Sequence, residues 1–107
     1  MGLEQVRMFC MFDLPMETHR DRRQYQVFRK ELLSNGFVML QYSVYYRTLP
    51  NRSALKKYEK IIGRVTPKFG HVRLLYVTEA QFQSMLLLSG VKDVQEIIVG
   101  NNRLVVI

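Results

Sequence analysis

Met8-Phe9-Cys10-Met11-Phe12-Asp13-Leu14-Pro15 carries five apolar side chains in a row, then a carboxylate, then a proline two positions later. Proline has no N–H to give a sheet ladder, so a strand through this stretch ends before Pro15. Extended back to Val6, the run alternates as Val6, Met8, Cys10, Phe12 on one parity and Arg7, Phe9, Met11, Asp13 on the other. Both parities are largely apolar, which predicts a strand covered on both faces, inside a sheet. Cys10 reads as a small core residue. Asp13 marks the point where the strand leaves the core. Three roles are open to it: catalyst, metal ligand, or the start of a loop.

Working outward, Thr18 offers an N-cap with Asp21 three residues on, and Asn35-Gly36 a stop, which predicts a helix to Ser34. Tyr25, Phe28 and Leu32 form its buried stripe, and cations dominate the rest of its surface. Phe37–Arg47, rich in aromatic and β-branched residues, reads as one long strand that Gln41 and Ser43 interrupt on a single parity. Leu49-Pro50 ends it. Asn51 or Ser53 caps a short helix with Leu55, Tyr58 and Ile62 inward, ended or loosened by Gly63. His71–Val77 is the next strand. Thr78 and Gln81 fit a capping box for a helix that buries Phe82, Met85 and Leu86. Ile97–Val99 and Arg103–Ile107 flank Gly100-Asn101-Asn102 at hairpin spacing. The apolar ending at Ile107 is read as falling short of the natural terminus.

This order predicts a single α+β domain over 1–107: a ferredoxin-like βαββαβ sandwich with an extra short helix between strands two and three and a C-terminal strand hairpin. Right-handed crossovers put both main helices on one face of the sheet. The other face keeps an apolar set, Phe9 and Met11 or their opposite set, and a patch of that kind marks an interface, for which Phe9 and Met11 are the candidates. A homodimer with its open sheet faces packed together is the expectation, with the C-terminal hairpin adding a strand to the partner.

With 107 residues, 48% of them hydrophobic, the chain suits one compact domain. No apolar run approaches the roughly 20 residues of a membrane span, and the N-terminus lacks a signal-peptide core. One cysteine leaves no internal disulfide, so a cytoplasmic, reducing location is expected. Sixteen Lys+Arg against nine Asp+Glu give a net charge of +7, which favours a polyanion, nucleic acid first. Thr18, His19, Arg20, Arg22 and Arg23 cluster at a helix start, where free N–H groups and the helix dipole favour phosphate. Arg47, Arg52, Lys56 and Lys57 form a second basic group, of which Arg47 is taken as a DNA contact. His71 is assigned a structural role and Glu17 that of a solvated loop acid. Asp13 alone makes a poor Mg²⁺ site, but a two-fold axis near the strand end would pair two copies. The strand His71–Val77 has one aromatic residue and lacks the glycine–aromatic pattern of an RNA-recognition module.

Together MFDLP, DRRQYQVFRKELLSNGF, MLQYSVYYR, LLYVTEAQF and RLVVI, in this order and spacing, resemble the CRISPR-associated protein 2 family, nearest to members from type II systems. The resemblance implies a ferredoxin-like homodimer that bridges two dimers of the CRISPR integrase and carries captured double-stranded DNA for spacer acquisition. It implies Asp13 as a Mg²⁺ ligand at the dimer axis and as the catalytic residue if the protein is an endonuclease on RNA or DNA. It places duplex contacts at the start of the first helix, with Arg20, Arg22 and Arg23 foremost, and support for the dimer interface at Gln41 and Ser43. The C-terminal segment would meet the integrase. A toxin-type ribonuclease, as in the related VapD proteins, is a more distant alternative.

Overall fold

Residues 5–90 are described by the computed structural model. The doubly apolar run forms strand β1 (Val6–Asp13), which lies inside a four-stranded antiparallel sheet. Between its ends the chain forms helix α1 (His19–Ser34), strands β2 (Val38–Gln41) and β3 (Val44–Leu49), helix α2 (Leu55–Val65) and strand β4 (His71–Thr78). The sheet order is β2-β3-β1-β4. Helix α1 carries the chain from β1 past β3 to β2, and α2 carries it from β3 past β1 to β4. These two interlocked crossovers are the ferredoxin-like fold, reached through a different set of strands from the one the sequence suggested.

Phe37–Arg47 is a hairpin, not one strand. The chain reverses at Tyr42-Ser43 and pairs Val38 with Tyr46, Met39 with Tyr45 and Gln41 with Val44, with a register irregularity between Met39 and Gln41. Ser43 adopts φ +64°, a left-handed conformation that lets the chain reverse there. Glycine or asparagine normally announces such a turn, and neither is present. The polar interruptions at Gln41 and Ser43 belong to the turn.

Two further assignments change as a result. The helix after Pro50 is not an extra: after a 3₁₀ turn at Arg52–Ala54, α2 is the second crossover and runs through Gly63 to Val65. His71–Thr78 is therefore the fourth strand, at the sheet edge beside β1. The predicted strands Ile97–Val99 and Arg103–Ile107 lie outside the described residues.

The core lies between the sheet and the two crossover helices. Val6, Met8, Cys10 and Phe12 meet Tyr25, Phe28 and Leu32 of α1 and Leu55 and Ile62 of α2. Phe12 packs edge-on to Phe28, ring centroids 5.2 Å apart, and stacks on Tyr45 at 5.7 Å. Burying each such ring stabilises the fold by roughly 2–3 kcal/mol. Burial also pushes the Cys10 thiol up to about 12, so it stays protonated and inert, as a core residue should.

A third helix, α3 (Glu79–Gln83), crosses the other sheet face. Its capping box forms as the sequence predicted, but the helix stops after little more than one turn, because Ser84 Oγ donates to the Gln81 carbonyl and closes it. Met85 and Leu86 are consequently exposed rather than buried. Arg7 holds α3 down. Its Nε and Nη2 donate to the two Glu79 oxygens at 2.9 Å each, and its guanidinium lies 3.7 Å from the centroid of Phe82.

The Arg7 hydrogen bonds hold the Glu79 carboxyl below its usual value, against the opposing effect of burial. A depressed carboxyl stabilises the fold above its unfolded value of 4.5, and that contribution is lost as pH falls through the lower folded value. Glu79→Gln is expected to melt lower at neutral pH and to lose less melting temperature than the wild type below pH 4.5. Equal acid slopes in the two proteins would rule out the clamp.

Candidate nucleic-acid interface

Asp13 ends β1 exposed, on the sheet face opposite the crossover helices. Three neighbours fix its backbone. Phe12 N donates to Ser43 O at 3.1 Å, which ties the strand end to the hairpin turn. On the other side Asp13 pairs with His71, the first residue of β4. Beneath it Gly70 turns with φ +93°, and a Cβ there would lie 2.5 Å from Asp13 O. Leu14 then folds back into the core and Pro15 emerges into solvent. The carboxylate of Asp13 and the imidazole of His71 leave adjacent strands on one face, with Cβ atoms about 5 Å apart for such a pair.

The start of α1 forms beside this end because its cap is complete. Thr18 Oγ1 accepts from Asp21 N at 3.0 Å, and Asp21 Oδ2 accepts from Thr18 N at 3.1 Å. Thr18 is thus occupied as a cap. Arg22 Nη1 donates to Met16 O at 3.1 Å and to Glu17 O at 3.0 Å, closing the loop between Asp13 and the helix. His19, Arg20 and Arg23 are exposed, and Arg20 and Arg23 lie one turn apart on the same helix face.

Strand pairing adds cations that no motif indicated. Because β4 starts opposite Asp13, the segment leading into it, with exposed Arg64 and Lys68, arrives at the same end of the molecule. Exposed Arg73 pairs with Met11 two residues inside the sheet. Only the β1–β4 register brings these residues to Asp13, so no local signal in the sequence identified them. His71, assigned a structural role from sequence, is exposed at this end.

Arg47 lies elsewhere. Its Nη1 donates to Asn35 O at 2.6 Å, its guanidinium stacks 4.6 Å from the Tyr58 ring centroid, and its Nε is buried without a partner among the described residues. Arg47 closes the C-terminal end of α1, about 22 Å along the helix from Arg20. Of the rest of its sequence group, Arg52 leans over Tyr76 and Lys57 over Tyr58, while Lys56 is exposed.

The sheet face away from the crossover helices holds an apolar groove of about 410 Å³. Met11 and Gln41 line it together with Leu75, Val77 and Met85. Phe9 also borders it but takes its cover from its own chain, with its ring 5.9 Å from Phe82. Ser43 turns to the helix side, where its hydroxyl shares a 3.2 Å hydrogen bond with Tyr25 OH.

Mg²⁺ takes near-octahedral oxygen ligands, usually one or two carboxylates plus water and phosphate. No group of three His, Cys, Asp or Glu side chains able to hold a metal occurs among the described residues. Asp13 is an exposed hard oxygen donor of the right kind, but a single carboxylate.

The fold and this surface define a class: a small ferredoxin-like domain with an exposed strand-end carboxylate and cations on the elements that meet at that end of the sheet. The family model for CRISPR associated protein Cas2 matches residues 6–85, and the chain belongs to that family. A CRISPR-associated endoribonuclease Cas2 of Lacticaseibacillus rhamnosus is 46% identical over 85 residues, 79% of this chain and 84% of the relative. The protein of the same name from Streptococcus mutans is 46% identical over 88 residues, 82% of this chain and 81% of the relative. One from Acidovorax ebreus is 46% identical over 91 residues, 85% and 89% of the two chains. No helix among the described residues is long and apolar enough to cross a membrane.

Proposed function

We propose that this protein is a cytoplasmic scaffold of CRISPR adaptation, a homodimer that binds double-stranded DNA and bridges two integrase dimers during spacer acquisition. The observation that carries this reading is the exposed pair Arg20 and Arg23 at the capped start of α1. Side chains there meet backbone phosphate without reading bases, as a protein that accepts arbitrary sequences requires. The apolar groove supports the dimer, since Leu75 is 52% exposed and Met85 41% in the single chain. Met11 and Gln41 are the interface residues this geometry favours most.

A second reading is a Mg²⁺-dependent endonuclease, favoured by the exposed carboxylate of Asp13 and by the endoribonuclease names of the relatives. In the dimer, Asp13 of each chain would hold the ion at the two-fold axis. When bound, Mg²⁺ would supply an activated water and neutralise phosphate charge. The chain's own part is to present Asp13 rigidly, between Ser43 and Gly70, while its cations orient the phosphate backbone.

Asp13→Asn separates the two readings. The scaffold reading expects spacer acquisition in cells to stay near the wild-type level and sedimentation to show an unchanged dimer. Loss of acquisition by a variant that still dimerises and binds duplex would overturn the scaffold and favour the nuclease.

A further inference from the structure

We propose that Tyr42 is a stacking platform for an unpaired nucleobase, so that the protein holds single-stranded as well as duplex nucleic acid. This rests on the nucleic-acid-binding function proposed above and adds a second mode of contact to it.

Tyr42 is the most exposed tyrosine among the described residues, at 68%. It is also ordered by its surroundings. Its ring stacks on Tyr25 with centroids 5.9 Å apart and planes 19° from parallel. Tyr25 is only 5% exposed and packs in turn on Phe12, at 5.6 Å. An aromatic ladder thus runs from the core to the surface and ends on an uncovered face of Tyr42.

The turn gives no structural reason for a large ring. Two-residue hairpin turns favour glycine and asparagine, and here left-handed Ser43 completes the reversal while Tyr42 stands out of it. The surroundings indicate the partner. Arg22 and Arg29 stand three positions before and four after Tyr25 on one helix stripe; Arg22 Nη1 is held by Met16 O and Glu17 O and Arg29 Nε donates to Tyr45 OH at 2.9 Å, which leaves the other N–H groups of each guanidinium to flank the ladder. A π-face between guanidinium groups matches a base with a phosphate on either side. The neighbouring strand residues Leu40, Gln41 and Val44 line the groove on the opposite sheet face, whereas Tyr42 lies on the helix side. The ring is therefore apart from the surface assigned to the dimer.

The test compares binding of a short single-stranded DNA, the same strand with abasic positions, and a blunt duplex. Tyr42→Ala is expected to weaken the intact strand roughly 5- to 150-fold, and Tyr42→Phe to retain its affinity. Binding of the abasic strand and of the duplex should not change. Equal losses on intact and abasic strands, or no loss on either, would overturn the proposal. So would a Tyr42→Ala protein that sediments as a monomer beside a dimeric wild type, which would make the ring an interface contact. Failure of the wild type to bind duplex would instead count against the scaffold reading, while the intact-versus-abasic comparison still decides the role of Tyr42.

Discussion

Gly70→Ala is expected to destabilise the protein by about 2–4 kcal/mol, the sum of left-handed strain and a backbone clash. Gly70 sits at φ +93°, and an added Cβ would lie 2.5 Å from Asp13 O and 3.1 Å from Leu14 Cα. Both are backbone atoms of the strand end and the loop that follows, so no side-chain rotation relieves the contact. For a domain of this size the loss corresponds to a melting temperature lower by roughly 10–25 °C. The paired control is Gly63→Ala. Gly63 lies inside α2, and its added Cβ meets nothing within 4 Å. That change should raise stability by about 1 kcal/mol through helix propensity alone. Thermal unfolding of the two variants checks both signs. Similar shifts in the same direction would show that Gly70 is not wedged under Asp13.

Replacing Arg20 and Arg23 together with alanine should reduce duplex affinity roughly 60-fold near 0.1 M salt relative to 1 M, because each lost phosphate contact flattens the log–log salt slope by about 0.9. The two side chains are exposed, so their loss leaves the core intact and the melting temperature close to that of the wild type. Arg22 stays in place because its Nη1 holds the Met16 and Glu17 carbonyls, and removing it would also move the loop beside Asp13. Affinity measured across a salt series gives the slope directly. An unchanged slope would place the duplex elsewhere, with Arg64, Lys68 and Arg73 at the same end of the sheet next in line.

Arg47 shows why charge in a sequence is not the same as charge available to a ligand. In the chain it is one of several cations after an aromatic strand. In the fold it lies on the helix face of β3, reaches Asn35 O and stacks on Tyr58. Strand parity sets it beside Tyr45 and Leu49 on the covered face, and the end of α1 and Tyr58 of α2 meet it there only after folding. Phe9 is a similar case: it lies on the sheet face away from the crossover helices, but α3 folds Phe82 over it from a segment far along the chain.

By itself the sequence determined what depends on near neighbours. The doubly apolar period of Val6–Asp13 specified an inner strand, and the Thr18–Asp21 and Thr78–Gln81 boxes specified two helix starts. The Tyr25, Phe28 and Leu32 spacing specified the buried face of α1. The tertiary structure decided what depends on residues that meet only after folding. A turn with no glycine became clear only when Ser43 O accepted from Phe12 N and Val44 paired with Met11. Asp13 acquired its surroundings in the same way: the β1–β4 register brought His71, Gly70 and their preceding cations to it across more than half the chain. Local pattern specifies elements through the backbone's own periodicity, but a site at a sheet end is set by register, which is a property of the strands together.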